Sequence, residues 1–499
     1  MARRWTFPFL IQVFLLLAVG APASAREWLV SPAGDDEHGD GTPAKPYRTL
    51  QRILNTSTGV VADGDTVTLR AGVYDECDVR LRKRLTLRGY PGERPHLRCD
   101  LRKPDSVVVQ IDPTASGSRV AGLEISGSMY YGVKLESWWS RGSDGHGASD
   151  VVLEDLKIHD TGRDGIKLTP HCDRVTIRRS EIWNTGAADP PGTPLEQRNA
   201  EGIDNVGGAK MVVEDNHIHD IATTGLYFKG GATDVVVQRN RIENTGMGGI
   251  LIGFHTDADL FDTANPDYYE AIRGIVRNNL VRNTGYAGIG LYSSRDAIVA
   301  NNTIVDTARL GHAAIFFGIP MQDGFPKPRK PSAGTRIRNN LVIQGHDGGA
   351  CVAIRWQPGE HTGGLRGRVA ELAQRLTAEQ GSGVAALEGA PDSDYNGYHA
   401  DGGCRFVDER PPQPLLGGEG FETWREREGA DAHSFVAELR VDASGRLPAG
   451  SPAIKRGIAL DAVTDDIDGK PRLAPFDVGA EEWTPLSSRR PRERGDPSP

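Results

Sequence analysis

Between Arg119 and Gln344 the chain repeats one hydrophobic pattern. Two apolar, β-prone residues lead to a polar corner, an alternating apolar and polar stretch, a small-residue turn, and then glycine, an aliphatic, a variable residue and an aliphatic. Copies read VTIRRSEIWNTG from Val175, VVVQRNRIENTG from Val235, GIVRNNLVRNTG from Gly274 and AIVANNTIVDTA from Ala297. The corner falls at Leu123, Leu156, Ser180, Asn216, Asn240, Asn279, Asn302 and Asn340. Short rungs of about 24 residues alternate with longer ones of about 33 to 39, and such a period means stacked units. Period-two alternation inside each unit predicts three short strands per rung and excludes helical repeats. The expected fold class is all-β, a single-stranded right-handed parallel β-helix, its hand set by the preference of parallel crossovers.

Stacking places equivalent residues about 4.8 Å apart. Asn216 to Asn340 are therefore expected to form a ladder pairing buried turn amides, a structural role and not a catalytic one. Ile158, Ile182, Ile218, Ile242, Val281 and Ile304 form the matching inward stack.

The ends differ in pattern. Arg3 and Arg4, an apolar run from Phe7 to Gly20 and Ala23-Ser24-Ala25 read as a secretory leader rather than a membrane anchor. Pro46 to Asn55 predicts a short helix closing the first coil, because an open coil end exposes apolar residues and strand edges. LRGRVAELAQRL, within Gly363 to Gln380, has helical spacing and predicts a surface helix. The expected organisation is a leader over 1–25, an N-terminal cap and first coils over 26–110, the β-helix core over 111–358, a C-terminal helix and capping region over 359–486, and a disordered tail over 487–499.

SPAGDD, GTPAKPYRTLQ, GDTVTLRAGVYDE and YPGERP near the start resemble the N-terminal segment of secreted right-handed β-helix proteins of the pectin-lyase-like superfamily, related to polysaccharide lyases. SDYNGYHADGG, FETWREREGADAHS, SPAIKRG and DDIDGKPRLAPFDVGAEEW near the other end are similar to the same group. The resemblance implies architecture over most of the chain and leaves the reaction open.

Composition narrows the partners. The 61 glycines suit many tight turns around one thin core. A net charge of −9, more negative without Arg3 and Arg4, argues against nucleic acid and permits cation binding. Beyond the leader, no run is apolar enough to span a membrane, and the protein is expected to be an exported monomer, periplasmic or extracellular. Five cysteines allow two disulfides; Cys77 with Cys99 and Cys351 with Cys404 are the candidate pairs, leaving Cys172.

The strand after each glycine carries the candidate chemistry. Its variable residue faces outward, giving a column of Lys134, Lys167, Asp204, Tyr227, Leu251 and Gly290, with Glu136, Thr169 and Lys229 at the second outward position. Insertions at Ser137–Ala148, Ala187–Ala200, Phe254–Ile272 and Ile319–Gly334 flank this column and predict a walled groove for a linear polymer. Lys134 beside Lys167 is repulsive unless an anionic substrate intervenes, although a simple pair between Lys167 and Asp204 is the plainer alternative. Asp164, Glu201 and Asp204 are an oxygen-ligand set for Ca²⁺. Aromatic and imidazole side chains, Tyr227, Trp138, Trp139, His171 and His255, are candidate substrate contacts.

These residues predict a lyase cleaving an acidic, uronate-containing polysaccharide by β-elimination. Lys167 is the expected base, its pKa lowered by neighbouring cations, with Lys134 or Lys229 stabilising charge. The lyases that the chain resembles use Lys or Arg near Ca²⁺ in this way. TPHCD from Thr169 is similar to the D-P-H-D motif of alginate C5-epimerases, but Thr169 replaces the first acid and Cys172 precedes the last. FHTDAD, with His255, Asp257 and Asp259, is a second cation candidate, while His159 and His219 read as surface residues of another face. The alternatives are a glycoside hydrolase or C5-epimerase on the same scaffold, with a carboxylate pair among Asp164, Glu201 and Asp204, or a non-catalytic glycan-binding or cell-surface coil.

Overall fold

The structure is a computed structural model that describes residues 25–57, 59–142, 144–345, 349–358 and 383–485. The leader through Ser24, the helix expected within 363–380 and the tail from Ser487 lie outside the described residues.

Each rung contributes one strand to each of three sheets, and each sheet has twelve strands among the described residues. The first sheet runs from Glu27–Val30 to Asp392–Asp394, the second from Val79–Leu81 to Leu415–Leu416, and the third from Val73–Asp75 to Phe435–Val436. Pairing is parallel throughout, except for the closing Leu415–Leu416 strand. This is a parallel β-helix. Ile158, Ile182, Ile218, Ile242, Val281 and Ile304 are fully buried along its axis.

The corner between the first and third sheets is tight because the residue before it is left-handed: Arg179, Arg239, Asn278, Asn301 and Asn339 have φ between 50° and 56°. That geometry leaves turn amides inside the coil, and the asparagine column pairs them. Asn240 Oδ1 accepts from the Asn216 amide, Asn279 Oδ1 from Asn240, Asn302 Oδ1 from Asn279, and Asn340 Oδ1 from Asn302. The ladder runs one rung beyond the repeat, to Asn396. Asn279→Ala would leave the Asn240 amide without its acceptor, at about 1–3 kcal/mol for each buried group left unpaired. A denaturant titration should show the midpoint falling with the slope unchanged.

The N-terminal helix, Leu50–Leu54, is shorter than the spacing predicts; it buries Leu50 and Ile53, and Glu76 accepts from the Leu50 and Gln51 amides. At the other end Gly420–Glu428 is helical, and its buried Trp424 donates through Nε1 to Asp431. The segment after it doubles back along the coil flank instead of only capping the end. Asp465 binds Arg239 and Arg277, and Arg472 donates to Asn278. Cys77–Cys99 and Cys351–Cys404 are disulfides, and Cys172 is a buried free thiol.

Candidate functional site

The outer face of the second sheet assembles the column that the alternation predicts. Lys134 lies in register with Lys167, Lys167 with Asp204, Asp204 with Tyr227, Tyr227 with Leu251, and Leu251 with Gly290. It continues through Phe316 and Ala353. Three insertions interlock along one side. Ser137–Trp138 and His146–Gly147 form a hairpin, from which Arg141 donates to the Phe261 carbonyl. Lys327 pairs with Asp267, and Arg329 pairs with Glu270.

At the centre of the column three carboxylates are buried together: ligand oxygens of Asp164, Glu201 and Asp204 lie within 4.8 Å of one another. The Glu201 amide donates to Asp164 Oδ1 at 3.1 Å, and the Thr223 hydroxyl to Glu201 Oε1 at 3.0 Å. Lys167 forms an ion pair with Asp204 and stands 4.0 Å from Asp164. The Tyr227 hydroxyl donates to Asp204 Oδ2 at 2.9 Å. Burial, and then the Glu201 charge, pushes the Asp164 pKa well up; burial and then Asp204 raise that of Glu201.

Two oxygens in this cluster, Glu201 Oε2 and Asp204 Oδ1, are buried without a hydrogen-bond partner. Lys167 compensates the Asp204 charge, and the raised pKa values of Asp164 and Glu201 favour their protonated forms until a cation displaces the protons. The orphan oxygens and the all-oxygen donor set fit a hard divalent cation such as Ca²⁺.

Several side chains stand otherwise than the sequence predicts. Lys134 and Lys167 do not confront each other unpaired, because Lys134 binds Glu136 at 2.6 Å and Lys167 binds Asp204. The neighbours expected to lower the Lys167 pKa were cations; here they are carboxylates. Burial pulls that pKa down, but Asp204 and Asp164 outweigh it and hold the ammonium protonated. Tyr227 is buried under the walls, so its ring is no open sugar platform. His171 spends Nε2 on the Ser140 carbonyl and packs against Trp139, so these two anchor the hairpin rather than face the groove. Trp138 is 58% exposed but sits beside Asp173 and Arg174, outside the cleft described next. His255, Asp257 and Asp259 are not gathered into a metal-ligand group.

Further along the column, a cleft of about 550 Å³ opens among Phe254, His255, Tyr286, Tyr292, His312, Phe316 and Arg355. Lys229 stands at its edge, with Nζ 4.3 Å from the Tyr227 ring and 5.9 Å from that of Phe254. His312 stacks on Phe316 at 4.0 Å. The Met321 amide donates to His255 Nδ1 at 2.7 Å, so a neutral ring carries its proton on Nε2. Volume, aromatic lining and a few polar groups are those of a ligand site.

Burial, helped by Lys229, lowers the His255 pKa to about 4; burial, helped by Arg355, does the same for His312. Their contribution to stability is full above the ordinary histidine value of 6.5 and is lost as the pH falls through about 4. The thermal midpoint should drop across that window, and His255→Asn with His312→Asn should flatten the drop.

Residues 107–260 match the family model described as a right-handed β-helix region. The chain contains a right-handed β-helix region and has the right-handed parallel β-helix fold. Among solved structures it is similar to the pectate lyase Pel9A, with 14% identity over 92% of this chain and 96% of that one and a TM-score of 0.52. It is also similar to XylC in complex with xylose, with 11% identity over 92% and 98% and a TM-score of 0.51. A rhamnogalacturonan lyase has 16% identity over 66% and 84% and a TM-score of 0.51. These likenesses are of fold. No curated protein matches the sequence of this β-helix protein.

The cleft is the part of the site that sequence reasoning missed. Phe316 lies on the same outward column, but its strand begins Ala314-Ile315 where other rungs have glycine, so the repeat pattern stops one rung short. Tyr292 was legible as the second outward residue after Gly288. Among the described residues, no helix is long and apolar enough to cross a membrane.

Proposed function

We propose that this β-helix protein is an exported polysaccharide lyase that cleaves a uronate-containing polymer by β-elimination, with the sugar seated in the aromatic cleft and Lys229 as the proton acceptor. The observation that carries this reading is the buried three-carboxylate cluster with two orphan oxygens, one rung from an amine that lies on aromatic rings. Export to the periplasm or beyond is supported by two disulfides.

Asp164, Glu201 and Asp204 would hold Ca²⁺, which when bound supplies positive charge for the substrate carboxylate. Lys229 Nζ, in its neutral amine form, takes the proton from C5 of the uronate, the C5–H electron pair forms the C4–C5 double bond, and the C4–O glycosidic bond breaks. The leaving oxygen collects a proton from water. Arg355, which pairs with Glu409, offers its guanidinium edge to a neighbouring uronate, His255 Nε2–H a hydrogen bond, and the stacked His312 and Phe316 rings a sugar-face platform. Lys167 becomes a positioning residue that holds Asp204.

Inverting hydrolysis fits less well. An inverting pair stands about 6.5–9.5 Å apart, flanking the sugar, whereas these carboxylates are buried within 4.8 Å of one another. The pectate lyase and the rhamnogalacturonan lyase share this scaffold, which makes the reaction feasible on it without assigning it.

The test is ultraviolet absorbance of unsaturated uronate ends on a panel of acidic polysaccharides, with Ca²⁺ and then with chelator. Absorbance that rises with Ca²⁺ and stops with chelator is expected. New reducing ends without absorbance would turn the assignment to hydrolysis, and binding without either product would leave a glycan-binding coil.

A further inference from the structure

The third sheet carries a second constellation on its outer face, remote in sequence from the carboxylate centre. His96 and Glu124 are register neighbours on adjacent strands, and His159 lies on the next strand along. Both imidazoles address one oxygen of Glu124, His96 through Nδ1 at 3.4 Å and His159 through Nε2 at 3.3 Å. One ligand atom from each of the three residues lies within 4.8 Å of the others.

We propose that His96, Glu124 and His159 form a site for a divalent transition metal, zinc by its ligand set. Two ligands about 2.0–2.1 Å from a tetrahedral zinc are about 3.3 Å apart, and the two nitrogen–oxygen separations match that edge. Two imidazoles and a carboxylate are borderline ligands that suit zinc better than calcium. The side chains are 19%, 31% and 13% exposed, which leaves the fourth position open to water.

The outer partners are already in place. His159 Nδ1 is 2.8 Å from Asp160 Oδ2, and Asn184 holds the other Asp160 oxygen. His96 Nε2 is 2.7 Å from the Ser126 hydroxyl. A carboxylate on the far nitrogen of a ligating histidine fixes the tautomer and aims the lone pair of the near one. In neutral His159 that lone pair then faces a Glu124 oxygen, acceptor against acceptor, so the position between them is filled either by a proton, making the 3.3 Å contact a hydrogen bond, or by a metal ion. Trp183 stacks on the His159 ring at 4.3 Å and fixes its plane.

A related group two rungs on shows what completes the first. Glu181, His217 and His219 also gather, with His219 Nδ1 held by Asp220 at 2.7 Å. There, however, Lys157 places its ammonium 3.4 Å from Glu181 and supplies the charge itself. Lys157 is also the register neighbour of Glu124, yet it turns to Glu181. An ion at the first group would tie together three successive strands of the third sheet near the N-terminal end of the coil.

The full-length protein, stripped with chelator, should be titrated with Zn²⁺ by calorimetry and its thermal midpoint followed. One equivalent should bind and raise the midpoint. His159→Asn and Glu124→Gln should each abolish that binding while leaving the circular dichroism unchanged, and Asp160→Asn should weaken it by about 10- to 100-fold. Asp204→Asn and His219→Asn should leave it intact, which separates this site from the calcium candidate and from the second histidine group. Absence of Zn²⁺ binding by the unaltered protein, binding that survives Glu124→Gln, or binding lost with Asp204→Asn or His219→Asn would each overturn the assignment.

Discussion

Lys229→Ala is expected to lower β-elimination by about 10²- to 10⁴-fold, the range that a positioned general base supplies. The substitution removes an ammonium from the faces of Tyr227 and Phe254 and breaks no ion pair described for this lysine, so the coil should keep its stability. Loss should fall on kcat with KM nearly unchanged, because the cleft still offers Phe316, His312 and Arg355. Lys167→Ala should behave differently. It strips the counter-charge from the buried carboxylates and lowers the thermal midpoint, and Ca²⁺ should restore that midpoint. If Lys167→Ala instead removes all turnover in a stable, calcium-loaded protein while Lys229→Ala does not, the roles given to the two amines are reversed.

Arg329→Ala should be the most damaging single change to the groove wall, at about 3–5 kcal/mol, the cost of leaving one partner of a buried ion pair uncompensated. Arg329 and Glu270 are both fully buried, 2.8 Å apart. The guanidinium also donates to the Tyr268 carbonyl and lies 4.3 Å from the Phe325 ring. Glu270 accepts from the Gly230 amide and the Thr256 hydroxyl, so it joins two insertions to the rung that carries Lys229. Removing the arginine leaves the buried Glu270 carboxyl without its counter-charge. Denaturant titration should show the loss, and limited proteolysis should cut first within Ile319–Gly334. A shift under about 1 kcal/mol, the size seen for exposed pairs, would mean that water enters and replaces the arginine.

The fold was legible because every rung writes the same strand pattern and the corner residues repeat. What the repeat could not show was how far it goes: Asn396 continues the ladder 56 residues after Asn340, well outside the spacing of the other rungs. The candidate site was legible as a column but not as an electrostatic environment. Alternation placed Lys134 beside Lys167 and Lys167 beside Asp204. It could not place Glu136 against Lys134, nor bring Asp164, just outside the strand, close enough to keep Lys167 charged. Tyr227 looks exposed in the pattern and is buried because Phe254, from an insertion, packs beside its ring. His96 and His159 of the third sheet were not read as ligands for a related reason. With Glu124 they form a set that takes one residue from each of three rungs, and no single stretch of sequence contains more than one of them.

The two disulfides lie at opposite extremities of the coil. Cys77–Cys99 joins the first rungs, and Cys351–Cys404 joins neighbouring strands near the last. A stack in which each layer touches only its neighbours unravels from its ends. Stitching both extremities therefore slows the fraying that digestion by proteases depends on, while the described layers between are held by strand pairing, the asparagine ladder, apolar packing and ion pairs. Resistance to proteolysis becomes a matter of rates set at the two ends, which leaves the groove in the middle free to be reshaped by its loops.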